Sequence, residues 1–215
     1  MSRADFDKWA SRYGSGRGYG GAPDRWLTEV ASGFLPATGT AVDLAGGSGR
    51  HARWLAGLGL ETTVVDIAPS GLALAEARAA EEGLRLHTRV WDLDDGLPDG
   101  RWDVVLASFF LLRLDGIHRV VAPGGLFVYL HPTMGNLERH PRPSARWLLE
   151  DGALTGVPGL ETLHLEEGWG PEGRHEVRYV GRLREGVDGE GLGVHHDVDG
   201  AVVVVGDRGA VQHRH

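Results

Sequence analysis

The chain has 215 residues, a formal net charge of −8 at pH 7, no cysteine and almost no lysine beside plentiful arginine. Its length suits one well-buried domain and is short for two, and its acidic balance argues against a duplex nucleic-acid binder, whose affinity comes from neutralised phosphates. Without cysteine there is no disulfide framework, thiolate metal site or thiol nucleophile; with a polar start and no uncharged run near the roughly 20 residues of a membrane span, a cytoplasmic protein that does not enter membranes is expected.

Residues 1–39 read as an N-terminal helical lid. Phe6, Trp9 and Tyr13 fall at spacings of three and four, as on one helical face, before a glycine-rich loop over 14–21. Trp26, Leu27, Val30, Ala31 and Phe34 repeat that spacing, so a second helix is predicted over 24–35, with Pro36 at its exit. From residue 41 short apolar runs alternate with helical stretches, the pattern of βα units and a parallel sheet. The predicted strands are 41–44, 61–65, 86–90, 102–107 and 126–130, and the predicted helices 50–58, 70–82 and 112–121. Pro69 suits the first turn of the middle helix. Two more strands, 160–165 and 175–183, are joined by a connection too short for a crossover, which predicts an antiparallel pair. Residues 186–215 are half glycine and valine, with no proline, lysine or aromatic residue, and read as a low-complexity tail carrying at most one marginal strand at 201–205. His195, His196 and Asp197 lie in that tail without a second cluster at ligand spacing, so no metal site is expected.

The segment Ala41-Val42-Asp43-Leu44-Ala45-Gly46-Gly47-Ser48-Gly49-Arg50 carries the chemistry. It is a buried strand that ends in small residues and opens a helix, as is needed where a ligand lies close against backbone at a strand's carboxyl end. About 20 residues past the turn, Asp66 closes the second strand, where a carboxylate can accept both hydroxyls of a ribose. A nucleoside is implied, either of a dinucleotide or of S-adenosylmethionine. Asp43, inside the first strand and directly before the turn, would repel a pyrophosphate and tolerates a cationic ligand.

These residues resemble the class I S-adenosylmethionine-dependent methyltransferases, most closely the tellurite-resistance-type small-molecule subgroup. The resemblance runs through the aromatic segment 6–13, Tyr19-Gly20-Gly21-Ala22-Pro23-Asp24-Arg25, the turn after Asp43, Val65-Asp66-Ile67-Ala68-Pro69, Asp92-Leu93, Ser108-Phe109-Phe110 and Pro123-Gly124-Gly125. It implies an α/β fold: a three-layer Rossmann-like sandwich with a seven-stranded, mostly parallel sheet and an antiparallel last strand, spanning 1–185. It also implies a cofactor site. Asp43 and the turn Ala45, Gly46, Gly47 and Gly49 would follow the methionine part, Asp66 would hold the ribose, Ile67 would flank the adenine, Asp92 and Leu93 would bracket the base, and Ser108 would face the sulfonium; Tyr13 of the lid joins them. Two departures stand out. Ala45 replaces the family's first glycine, which suits a negative φ there, and the short stretch after Ser108 implies a trimmed helix.

The implied reaction is methyl transfer from S-adenosylmethionine to a small-molecule acceptor: a thiol, a metalloid oxyanion or another small nucleophile. Because the cofactor brings an activated methyl group, the protein mainly positions the acceptor. Should a base be used, His131 at the end of the fifth strand is the candidate. His51, at the start of the helix after the turn, is expected to be solvated, with lining of the cofactor cleft as the alternative. The arginine-rich loop with Arg139, His140, Arg142 and Arg146 could meet an anionic acceptor, as could Arg12, Arg25 and Arg174. The rival readings are an NAD(P)-dependent oxidoreductase and a non-catalytic S-adenosylmethionine-binding domain.

Overall fold

The structure is a computed structural model that describes residues 21–184 and, as backbone, the short segments 194–196 and 202–204. The expected helix of Phe6, Trp9 and Tyr13, the loop before residue 21 and most of the 186–215 tail lie outside the described residues. Within that tail the strands Val194–His196 and Val202–Val204 pair antiparallel, the second lying inside the predicted apolar run.

Seven strands form one sheet: β1 (Thr40–Leu44), β2 (Glu61–Asp66), β3 (His87–Val90), β4 (Trp102–Ser108), β5 (Val121–Pro132), β6 (Leu160–Trp169) and β7 (His175–Leu183). Their order is β3-β2-β1-β4-β5-β7-β6. The first five run parallel, and β7 pairs antiparallel with both β5 and β6. This is the predicted Rossmann-like sheet, with β7 alone reversed.

Alternation along the central strands sends successive side chains to opposite faces. One face collects Val42, Leu44, Val105, Ala107, Phe127 and Tyr129; the other collects Ala41, Val104, Leu106, Leu126, Val128 and Leu130. The second face is covered by helices. There α1 (Arg25–Glu29) inserts Trp26 and Leu27, and α2 (Arg50–Gly57) inserts Leu55. Next to it α3 (Pro69–Glu81) lays Leu72, Ala75 and Ala79 on Val64. Pro69 opens α3, as predicted.

The first face is covered instead by loops with short 3-10 turns, through Leu93, Leu112, Ile117, Leu149 and Leu154. The helix expected over 112–121 is replaced by one such turn, Ile117–Arg119. Gly116 before it takes a left-handed φ of 78°, which interrupts a helix. The buried Tyr129 hydroxyl donates to the carbonyl of Phe110 and accepts from the N–H of Leu112, tying the loop down. The apolar spacing there anchors a loop and does not mark a helix. Likewise, the helix predicted over 24–35 is split into α1 and a 3-10 turn, Ala31–Phe34. At the break the Ser32 hydroxyl donates to the Thr28 carbonyl, a local bond of the kind that bends helices. Among the described residues no helix is long and apolar enough to cross a membrane.

Candidate active site

A pocket of about 500 Å³ opens over the carboxyl ends of β1, β2 and β4, within the usual range for small-molecule sites. Its floor is the turn between β1 and α2. Gly46 donates to the Val65 carbonyl, and a Cβ at Gly46 would come within 2.7 Å of both Asp43 Oδ2 and Val64 Cγ1. Only glycine fits there without moving the buried Asp43 and Val64 side chains beneath. Gly47 and Gly49 take left-handed φ values and frame the turn without lining the pocket.

Ala45 also has a positive φ, 55°. This corrects the expectation of a negative angle, since the first position of the turn keeps the left-handed conformation although it has lost its glycine. The strain of an L-residue there is about 1–2 kcal/mol. Phe109, just past β4, is a second such residue, with φ of 54°, and it too lines the pocket. Both strained residues follow central strands directly, at the wall where a ligand would lie.

Asp66 closes β2 with its carboxylate split between two neighbours. Oδ2 accepts from Gly47 N–H and Oδ1 from Ala68 N–H, each at 2.9 Å. Burial pushes its pKa up, and the N–H groups of Ala68, Gly47 and Ile67 oppose that. Each oxygen keeps a further lone pair. Ile67 and Leu93 stand beside it in the wall, with Trp91, which the sequence reading did not single out for the site.

Asp43 lies under the floor and does not line the pocket. It is fully enclosed, and among the described residues neither oxygen has a hydrogen bond of ordinary geometry. Burial pushes its pKa up to about 7, with the nearby Ala52 N–H and the Arg50 guanidinium offsetting part of the cost of charge. Asp92 stands outside the pocket, half-buried, its carboxylate accepting from the Asp94 N–H.

His51 takes the alternative expected of it, lining the cleft, and is not the solvated helix residue. It is 3% exposed, lines the pocket and is hydrogen-bonded through Nδ1 to Ser108 Oγ at 2.8 Å. Burial, aided by Arg50, holds its pKa down to about 3. The hydrophobic floor over which α2 begins explains the difference: Ala52 and Leu55 turn this face of the helix inward and carry His51 with them.

His131, the proposed base, does not line the pocket. Its ring stacks on Tyr129 at 5.8 Å, and Nε2 is 2.9 Å from the Trp147 carbonyl. Burial pushes its pKa down to about 4. The loop leaving β5 folds over its ring and closes it off. The arginine-rich loop is turned away as well. Arg139 lies 3.9 Å from the Trp169 ring centre, Arg146 packs on Trp147, and His140 meets the Gly173 carbonyl.

The far wall comes from the β6–β7 hairpin and the segment before α1. Arg174 and Glu172, paired at 2.6 Å, line the pocket with Asp24 and Arg25. Arg174 also pairs with Glu176, which is buried and shared with Arg178. Burial works against the Arg174 cation, and the Glu176 and Glu172 carboxylates outweigh it. The Phe109 ring lies between Arg174 and Arg50, at 5.1 and 5.4 Å from its centre. Glu172 and Phe109 were missed as site residues from sequence: nothing local marks a hairpin tip as a pocket wall. Tyr13 and Arg12 lie outside the described residues.

Residues 41–125, which contain the turn, Asp66 and Ser108, match the methyltransferase-domain family. That stretch of the chain is similar to a methyltransferase domain. Its fold is shared with TehB from Haemophilus influenzae, at a TM-score of 0.61 and 17% identity over 82% of this chain and 67% of that one. A TehB-like SAM-dependent methyltransferase from Corynebacterium glutamicum gives 0.58 and 19% over 85% of this chain and 100% of that one. The [4+2]-cyclase SpnF is also similar, at 0.59 and 16% over 78% and 86%. No curated protein matches the chain in sequence. The chain thus shares its fold with these solved structures, and the family match is confined to the part of the sheet that holds the turn.

Proposed function

We propose that the methyltransferase domain, taken as residues 1–185 with 186–215 as a tail, transfers a methyl group from S-adenosylmethionine to a small-molecule acceptor in the cytoplasm. The observation that carries this is the glycine floor with Asp66 beside it. Gly46 leaves room for a ligand against the backbone, and the spare lone pairs of Asp66 face a site where ribose hydroxyls can donate. Ile67 and Leu93 offer apolar contacts to a base, and Ser108, at the end of β4, lines the pocket where this reading puts the acceptor. In its charged form Asp43 beneath the turn favours a cationic ligand over a pyrophosphate, which supports the sulfonium cofactor over a dinucleotide. When bound, that cofactor supplies an activated methyl group, so the protein need only hold and align the acceptor and exclude water.

The acceptor is small in this reading because the hairpin tip and the segment before α1 close two sides of the pocket. Thiols and oxyanions are the first classes to try. The test is turnover: incubation with S-adenosylmethionine and a panel of small thiols, metalloid oxyanions, phenols and amines, with methylated product read by mass spectrometry. Product from one class establishes the reaction. Tight binding of S-adenosylhomocysteine with no product from any class favours a non-catalytic binding domain, and the likeness to a cyclase makes that control necessary.

A further inference from the structure

Ser108 ends β4 and His51 sits in the first turn of α2, so the 2.8 Å bond between them crosses the pocket wall. Among the described residues the other ring nitrogen, Nε2, is buried without a hydrogen-bond partner. A neutral imidazole has one N–H and one bare nitrogen. A hydrogen on Nε2 would be a buried donor with nothing to meet, the costlier kind of orphan. A hydrogen on Nδ1 is used on Ser108 Oγ, and the bare Nε2 is the lesser loss. In that arrangement the hydroxyl hydrogen of Ser108 is not spent on His51 and can turn into the pocket.

The ring also stays neutral. Burial and Arg50 on its own helix disfavour imidazolium, with the pKa pushed down to about 3. The carboxylates around the pocket are engaged elsewhere: Asp66 from β2 holds Gly47 and Ala68, Asp24 caps α1, and Glu172 from the hairpin pairs with Arg174. Arg25 pairs with Glu29.

Building on the methyl-transfer reading, we infer that His51 is a positioning residue that fixes Ser108 as a hydrogen-bond donor. The pocket accordingly selects an acceptor whose reacting atom arrives already deprotonated, such as a thiolate or an oxyanion, over an ammonium. Neither residue removes a proton from it. The bond to Ser108 holds the lone-pair-bearing atom.

The test is nitrogen-15 NMR of the full chain with labelled histidine, followed from pH 4.5 to 8 with and without S-adenosylhomocysteine. His51 is expected to carry its hydrogen on Nδ1 and to stay neutral over the whole range, and Ser108→Ala to move its Nδ1 resonance. An Nε2–H tautomer, or a titration midpoint near 6.5, overturns the inference. At pH 8, benzenethiolate is expected to shift the Nδ1 resonance and benzylammonium to leave it in place. His51→Asn, which keeps an N–H toward Ser108, is expected to hold benzenethiolate within about threefold of wild type, and His51→Leu and Ser108→Ala to weaken it about tenfold or more, the size of one lost hydrogen bond to an anion. Equal response to the two probes, no response to the thiolate, or no rescue by asparagine contradicts the inference. Failure of S-adenosylhomocysteine to bind sinks the cofactor reading instead and leaves the tautomer measurement on the protein alone intact.

Discussion

The two sides of the pocket are held by different physics. On the β1–β2 side the ligand surface is backbone: Gly46 over Asp43 and Val64, and a carboxylate fixed by two N–H groups. On the β7 side it is a chain of ion pairs running from Glu172 through Arg174 and Glu176 to Arg178. A backbone surface is specified by a few residues adjacent in sequence, and a charged one by partners brought together by folding. The first kind therefore leaves a motif, and the second leaves almost none.

Breaking the charged side has the largest expected effect on stability. Glu176→Leu removes a buried carboxylate shared by two arginines and leaves the enclosed Arg178 paired, among the described residues, with the half-exposed Glu166. A loss of about 3–5 kcal/mol in urea unfolding is expected, as for other buried pairs stripped of one partner. On the backbone side Gly46→Val should cost about 2–3 kcal/mol, the upper range for overpacking, and also abolish S-adenosylhomocysteine binding. Asp66→Ala should leave the fold intact and weaken that binding by about 1.5–3 kcal/mol, measured by calorimetry. If Glu176→Leu were neutral for stability, or Asp66→Ala neutral for binding, the division between the two sides would be wrong.

The extent to which each side was legible follows from the same division. The turn at 45–49, Asp66, Ile67, Leu93 and Ser108 lie in short segments with strand and helix signals around them, and the structure brings all of these to the pocket or its frame. The seven strands and the reversed one were legible because short apolar runs and connection length are local. Three of the features that were not show why. The 112–121 segment has helical apolar spacing, yet Gly116 and the Tyr129 hydroxyl shape it as a loop. His131 stands at a strand end that ligands often approach, but the chain leaving β5 covers it through Trp147. His51 reads as a polar helix residue, and its burial depends on how α2 lies on the sheet.

Smaller effects sharpen the backbone side. Asp43 has its folded pKa raised to about 7 from an ordinary carboxyl value. The folded state then binds more protons than the unfolded state between about pH 4 and 7, so stability from this group is present at low pH and is lost as pH rises through that window. His51, held down to about 3, contributes the opposite slope between about pH 3 and 6.5. Asp43→Asn should therefore gain stability relative to wild type as pH rises from 4 to 7, in parallel urea titrations; a constant difference would contradict the burial of a charged group there. The smallest change is Ala45→Gly. Relief of the 55° φ should stabilise the fold by about 0.5–1 kcal/mol, net of the extra freedom of glycine in the unfolded chain.

The central claim is that the glycine floor and Asp66 hold S-adenosylmethionine. The most direct measurement is calorimetric titration of the full chain with S-adenosylhomocysteine, NAD and NADP, in wild type and Asp66→Ala. Micromolar binding of S-adenosylhomocysteine alone, weakened in the variant, is the expected result. Binding of a dinucleotide in its place, or affinity for S-adenosylhomocysteine unchanged by the loss of Asp66, would contradict it.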